Sequence, residues 1–120
     1  MNDQDREEHR LAAKAAGYHV QFLAEGYGGE CIRRESARFC AAWRPKTNRA
    51  DSFDLLCAIY RHVSKNPIPW LDAPPEMQEG WEILQEAFDS GDSTAACSAV
   101  FSLAVATGRS MEEQENEQSA

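Results

Sequence analysis

The sequence predicts an α+β domain: a small antiparallel sheet of two or three strands packed with helices in the order α-β-β-(β)-α, followed by a C-terminal helical pair. Three observations carry this reading. Residues 18–24 alternate apolar and polar, as a half-buried strand does. Glu25-Gly26-Tyr27-Gly28-Gly29 has the glycines of a hairpin turn. Two long stretches further on carry helix start signals and helical spacing of apolar residues.

The first element is a helix over Asp5–Ala16, acidic early, with Lys14 late and Gly17 placed as a left-handed cap. Leu11, Ala12, Ala15 and Ala16 give it a small apolar stripe. Tyr18, Val20 and Phe22 then fall on one side of a strand, with His19 and Gln21 on the other. Glu30–Glu35 returns as the second strand, and Ala37–Trp43 is either a third strand or an extended crossing.

Asn48 opens the next helix as N-cap, with the Asp51 carboxylate expected to reach back to the cap amide. That helix runs to about Lys65, where Asn66-Pro67 stops it. At 100° per residue Phe53, Leu56, Cys57, Tyr60 and Val63 share one side, while Leu55 and Ile59 widen the apolar arc past half the circumference. Asp54, Arg61 and Lys65 mark the solvent strip. Residues 66–75 hold four of the five prolines and Trp70, and read as a connector. After the Asp72, Pro74 and Pro75 entry, Met77, Trp81, Leu84 and Phe88 form the inward arc of a third helix. A last helix, capped by Asp92 or Ser93, is expected to close at Gly108. The domain is thus residues 1–108, with a module over 9–65 and a helical hairpin over 72–108. The glutamate-rich 109–120 reads as a disordered tail.

The 120 residues suffice for one core and not two. The net charge of −8 is unevenly spread: −2 over residues 1–10, +4 over 11–65 and −10 over 66–120. Such asymmetry concerns partners rather than fold. Cys31, Cys40, Cys57 and Cys97 form no Cys-x-x-Cys pair, and no charged-then-apolar leader precedes them. They are read as reduced thiols in a cytoplasmic protein, three of them on buried faces. No apolar run approaches the roughly 20 residues of a membrane span.

Residues 9–63 resemble small phage-encoded proteins of the phage alpha-beta-alpha sandwich and NinX-like type. The likeness rests on Leu11-Ala12-Ala13-Lys14-Ala15-Ala16-Gly17, the strand Tyr18–Leu23, and Trp43-Arg44-Pro45 followed by Asn48, Ala50-Asp51 and an apolar helix. Those families place an asparagine where this chain has Arg44, and their acid precedes the alanine where here Asp51 follows Ala50. The resemblance implies a mobile-element origin, a small α/β module and a host-cell cytoplasmic location. It brings no catalytic residues and leaves the C-terminal helices unaccounted for.

Catalytic chemistry is not expected. Ser52 and His62 are ten residues apart, about 15 Å along a helix, too far for proton transfer. His19, Cys31, Cys40, Cys57 and His62 lack the short ligand spacings of zinc sites, and the glycine turn lacks the lysine and hydroxyl of a phosphate loop. No metal or cofactor is expected. Three surfaces remain. Glu76, Glu79, Glu82, Glu86 and Asp89 lie opposite the inward arc of their helix, which suits a basic surface on a host protein. Arg33, Arg34, Arg38, Arg44, Lys46 and Arg49, interleaved with Phe39 and Trp43, are the alternative, a nucleic-acid surface, disfavoured because the acidic C-terminal half repels a polyanion. Between Ser93 and Gly108 no residue is charged. A helix of that kind is internal or shared with another chain, and Cys97, Val100, Phe101 and Ala104 are the expected face of a homodimer. The functional expectation is a non-catalytic accessory protein that binds and modulates a host protein, in its sharpest form an anti-CRISPR-like inhibitor. A nucleic-acid or recombination accessory protein is the alternative.

Overall fold

Charge-free over sixteen residues, the last helix becomes the axis of the molecule. The computed structural model describes residues 3–26, 29–35, 40–65 and 75–119, with the side chains of 21, 23–26, 29–35, 40–42 and 118–119 outside that description. In chain order the elements are α1 (Asp3–Ala16), β1 (Val20–Gly26), β2 (Gly29–Glu35), β3 (Cys40–Ala42), α2 (Arg49–Lys65), α3 (Pro75–Ser90) and α4 (Ser93–Ser119).

Helix α4 packs against each of the other three helices. From Cys97 to Thr107 all its residues except Ser98 and Ser102 are buried. Leu11, Ala12 and Ala13 from α1, Leu55 and Ile59 from α2 and Leu84 from α3 close around it, with Trp43 beneath. His9 meets Phe101, Leu11 meets Gly108 and Lys14 meets Glu115, so α1 and α4 run in the same direction. Gly80 against Leu103 and Glu76 against Arg109 show α3 and α4 to be antiparallel.

The expected α+β class is corrected here. Of the residues whose side chains are described, 85 % are helical, and the packed body is all-α. Three short strands pair antiparallel in the order β1-β2-β3, but this hairpin layer lies beside the core rather than forming it. Val20 pairs with Arg34 and Phe22 with Ile32, and the register shifts between Leu23 and Gly26. Arg33 pairs with Ala42 and Glu35 with Cys40, so part of the 37–43 segment is a third strand. Val20 is half-buried at the edge of the core, while Phe22 is exposed. The physical reason lies in α4: one long helix without charges offers apolar surface on every side, and three helices cover it more completely than a short sheet can.

Local chemistry sets four of the eight helix ends. Gly17 and Gly91 both adopt positive φ, 73° and 72°, conformations that cost glycine nothing. Gly17 N–H donates to the Lys14 carbonyl at 3.1 Å and Tyr18 N–H to that of Ala13 at 2.9 Å, which closes α1. Asn48 Oδ1 accepts from the Asp51 N–H at 3.0 Å and caps α2. The Asp51 carboxylate accepts from the Arg44 N–H at 2.9 Å instead of returning to the cap, so it ties the preceding turn to the helix. Asp92 caps α4 by accepting from the Thr94 and Ala95 N–H groups at 3.0 and 3.1 Å.

Three further expectations are overturned. Gly108 does not end α4. A Cβ there would lie 2.7 Å from the Leu11 carbonyl carbon and closer still to its oxygen, so the glycine is where α1 and α4 touch backbone to backbone. Residues 109–119, expected to be a disordered tail, continue the helix. Arg10 pairs with Glu112, and Lys14 Nζ lies 2.6 Å from Glu115, so cations on α1 hold acids that composition alone would leave repelling one another. Helix α2, lastly, is rolled relative to expectation. Ser52, Leu55 and Ile59 face the core, and Leu56 and Val63 flank them half-buried. Phe53, Cys57 and Tyr60 point outward. The aliphatic pair packs against α4 with no polar atom to satisfy, whereas the Tyr60 phenol needs a partner or water.

Candidate functional site

The face of α3 turned away from α4 is built by its own inward residues. Met77, Gly80, Leu84 and Ala87 are buried. Gly80 allows the close approach: a Cβ there would stand 3.1 Å from Leu103 Cδ1. This inward set differs from the expected arc at two positions: Gly80 is buried where Trp81 is half-buried, and Ala87 is buried where Phe88 is 56 % exposed. The roll is small, and it leaves Glu76, Glu79, Glu82, Glu86 and Asp89 all exposed. Arg109 on α4 lies 3.2 Å from Glu76. Helix α3 contains no lysine or arginine, and among the described residues no cation lies within ion-pair distance of Glu79, Glu82, Glu86 or Asp89. Carboxylates three and four residues apart on a helix repel by a few tenths of a kcal/mol per pair, and here nothing on α3 relieves it.

Beside this stripe runs an apolar groove. Half-buried Trp81, with Leu84 and Phe88, lines a hollow of about 570 Å³, and Glu82 and Gln85 form its polar wall. Phe88 also borders a second hollow of about 290 Å³ at the α3–α4 corner, with Ala96 and Cys97 on its floor and Arg49 and Asp92 at its rim. Ile83, 45 % exposed, adds apolar surface to the same helix. An apolar slot bordered by uncompensated carboxylates is thus the chemical character of this side of the molecule. The periodicity of α3 places Phe88 in the core, so the groove is not legible in the sequence.

Of the basic run, the side chains of Arg44, Lys46 and Arg49 are described. The side chains of Arg33 and Arg34 on β2 lie outside the described residues, and Arg38 lies outside them entirely. Arg44 and Arg49 are exposed. Lys46 is committed elsewhere, with its Nζ 4.8 Å from the centroid of the buried Phe101 ring and 3.9 Å from Asp5. Trp43, the expected stacking aromatic, is 2 % exposed and packs edge-on against His9 and Tyr18, each centroid 6.0 Å away. A ring enclosed by its own chain cannot stack on a base, so the run loses this aromatic, while Phe39, the other one, lies outside the described residues.

The expected self-association face is likewise inside. Cys97, Val100, Phe101 and Ala104 are all buried within the chain, so these four cannot form a dimer contact. Within the same core His9 donates from Nδ1 to the Asp5 carbonyl at 2.7 Å and meets the Phe101 ring at a 50° tilt with centroids 4.7 Å apart. Burial holds its pKa below the ordinary imidazole value, against the opposing pull of that hydrogen bond. Trp43 Nε1 is buried beside it without a hydrogen-bond partner.

Among the described residues no cluster of His, Cys, Asp or Glu is arranged to hold a metal ion, and no helix is long and apolar enough to cross a membrane. Cys57 is exposed and Cys97 buried, both as free thiols, whereas the side chains of Cys31 and Cys40 lie outside the described residues. No family model, curated protein or solved structure matches the chain.

Proposed function

We propose that this chain is a non-catalytic binding protein that engages a basic protein partner through the acidic outer face of α3. The observation that carries the reading is the stripe Glu79, Glu82, Glu86 and Asp89, exposed and uncompensated on its own helix, beside the Trp81–Leu84–Phe88 groove. The partner segment is therefore one with lysines or arginines flanking an apolar side chain. The carboxylates steer the encounter and the groove accepts the anchor. The resemblance of residues 9–63 to small phage proteins makes the partner a host protein and the effect modulation or inhibition, an anti-CRISPR-like role included. That part rests on the resemblance alone.

Quantitative capture from host lysate, run in parallel with three baits, tests the proposal. Wild type and an Arg44→Glu variant are expected to retain the same basic protein, and Glu82→Lys/Glu86→Lys to lose it while keeping its helical circular dichroism. A protein lost from the arginine variant and kept by the glutamate variant would move function to the basic run.

A further inference from the structure

Helix α2 presents to solvent a second pattern that the acidic-face reading does not use. Ala50, Phe53, Cys57, Tyr60 and Ser64 are all exposed, with Phe53 at 65 % and Tyr60 at 67 %. Their spacings are three, four, three and four residues, the a and d positions of a heptad. At 100° per residue this stripe is centred about 150° around the helix from buried Leu55 and Ile59, so it faces away from the core. No residue in it carries a charge. Along one side run Asp54 and Arg61, both exposed and both at the e position. Along the other run Leu56 and Val63 at the g position, half-buried and packed against the core.

We propose that the occupant of this face is α2 of a second copy, lying antiparallel across a two-fold axis near residues 58 and 59. Charge and apolar matching together choose partner and direction. In an antiparallel pair e positions face e positions, so Asp54 of each copy meets Arg61 of the other, twice over by symmetry. The same register sets Cys57 against Tyr60 and Phe53 against Ser64, and brings Leu56 beside Val63. A parallel pair would set Asp54 beside the exposed Arg49 of the other copy but bring Arg61 beside apolar Leu56 with no counter-ion, and would separate Leu56 from Val63. A seam of 17-residue helices, about 25 Å long, is a small interface next to the roughly 1,200 Å² at which stable complexes begin, so the association is in the micromolar range. Dimerisation also duplicates the acidic face of α3, giving two sites per particle for a partner with repeated basic segments.

Sedimentation equilibrium of the full chain, from about 1 to 300 μM with reductant present, tests this with no reference to the α3 partner. Wild type is expected to show a monomer–dimer equilibrium, and Phe53→Glu and Tyr60→Glu to be monomeric throughout with unchanged melting temperature. Asp54→Arg and Arg61→Asp should each raise the dissociation constant more than tenfold, and the combined swap should return it to within about threefold of wild type. A wild-type chain that stays monomeric at 300 μM overturns the proposal. So does a dimer that survives Phe53→Glu and Tyr60→Glu, or a double swap that fails to restore association. Glu82→Lys/Glu86→Lys should dimerise like wild type. Were it monomeric, the self-contact would lie on α3 instead.

Discussion

Gly108→Ala probes the closest contact in the molecule. A methyl group there would stand 2.7 Å from the Leu11 carbonyl carbon, where Cβ atoms do not come closer than 3.0 Å, and the obstacle is backbone that cannot rotate aside. Helix α1 would have to withdraw by on the order of 1 Å, and a gap of that size forfeits a quarter to a half of each dispersion contact across it. A buried Leu such as Leu11 makes roughly 40–60 contacts at about 0.1–0.2 kcal/mol each, so a quarter of that is about 1–3 kcal/mol. Ala12 and Ala15 lose contacts as well. Against this, alanine in place of glycine in a helix stabilises by about 1 kcal/mol. The net expectation is a loss of about 2 kcal/mol, or roughly 6–12 °C in melting temperature for a domain of this size. Gly80→Ala is the internal control. Its Cβ would be crowded only by the far end of the Leu103 side chain at 3.1 Å, with Leu103 Cα and Cβ at the ordinary contact distances of 3.5 and 3.6 Å, so the helix-propensity gain should nearly cancel the crowding. Thermal and urea unfolding followed at 222 nm would measure both. A Gly108→Ala protein as stable as wild type, or one that loses less than Gly80→Ala, would refute the α1–α4 contact.

Other consequences follow from single residues. The folded-state pKa of His9 is depressed by burial, so the unfolded chain binds that proton more tightly. The stability from neutral His9 is complete above about pH 6.5 and is lost as pH falls toward the lower folded value. Urea midpoints at pH 7.5 and 5.5 should therefore drop for wild type and stay nearly level for His9→Gln. Asn48→Ala should cost about 1 kcal/mol through the lost cap of α2, read as a melting temperature lower by roughly 3–6 °C. Arg10→Gln releases Glu7 and Glu112, whose carboxyls its guanidinium holds below their ordinary pKa. These ions are largely exposed, and such pairs contribute about 1 kcal/mol or less. The expected readout is faster amide exchange over residues 110–119 with little change in melting temperature.

What the sequence made legible was chemistry acting over a few residues. Gly17, Asn48 and Asp92 announce helix ends through backbone conformations and hydrogen bonds made within three residues of themselves, and each does so in the structure. The outward direction of Glu76, Glu79, Glu82, Glu86 and Asp89 was legible too. Their helix has one strongly apolar side, and a roll of a few tens of degrees does not bury them. Periodicity failed where it was ambiguous. Helix α2 is apolar around more than half its circumference, so it could not say whether Phe53 or Leu55 turns inward. It was silent where the cause lies far along the chain. Nothing near Gly108 reveals that Leu11 needs its missing side chain, nothing near Glu112 reveals Arg10, and nothing near Trp43 reveals His9 and Tyr18 around its ring. The fold class turned on the same limit: the strands were readable, but only the burial of α4 by three helices makes the body all-α.

The functional role of α3 is tested most directly by calorimetric titration of the captured basic partner into wild type and into Glu82→Lys/Glu86→Lys at low salt. The double reversal is expected to weaken binding more than tenfold, and wild-type affinity should fall as salt is raised, because the stripe acts through charge on an open surface. Equal affinities for the two proteins, with the helical signal of both intact, would contradict the assignment and reduce the acidic face to a determinant of solubility.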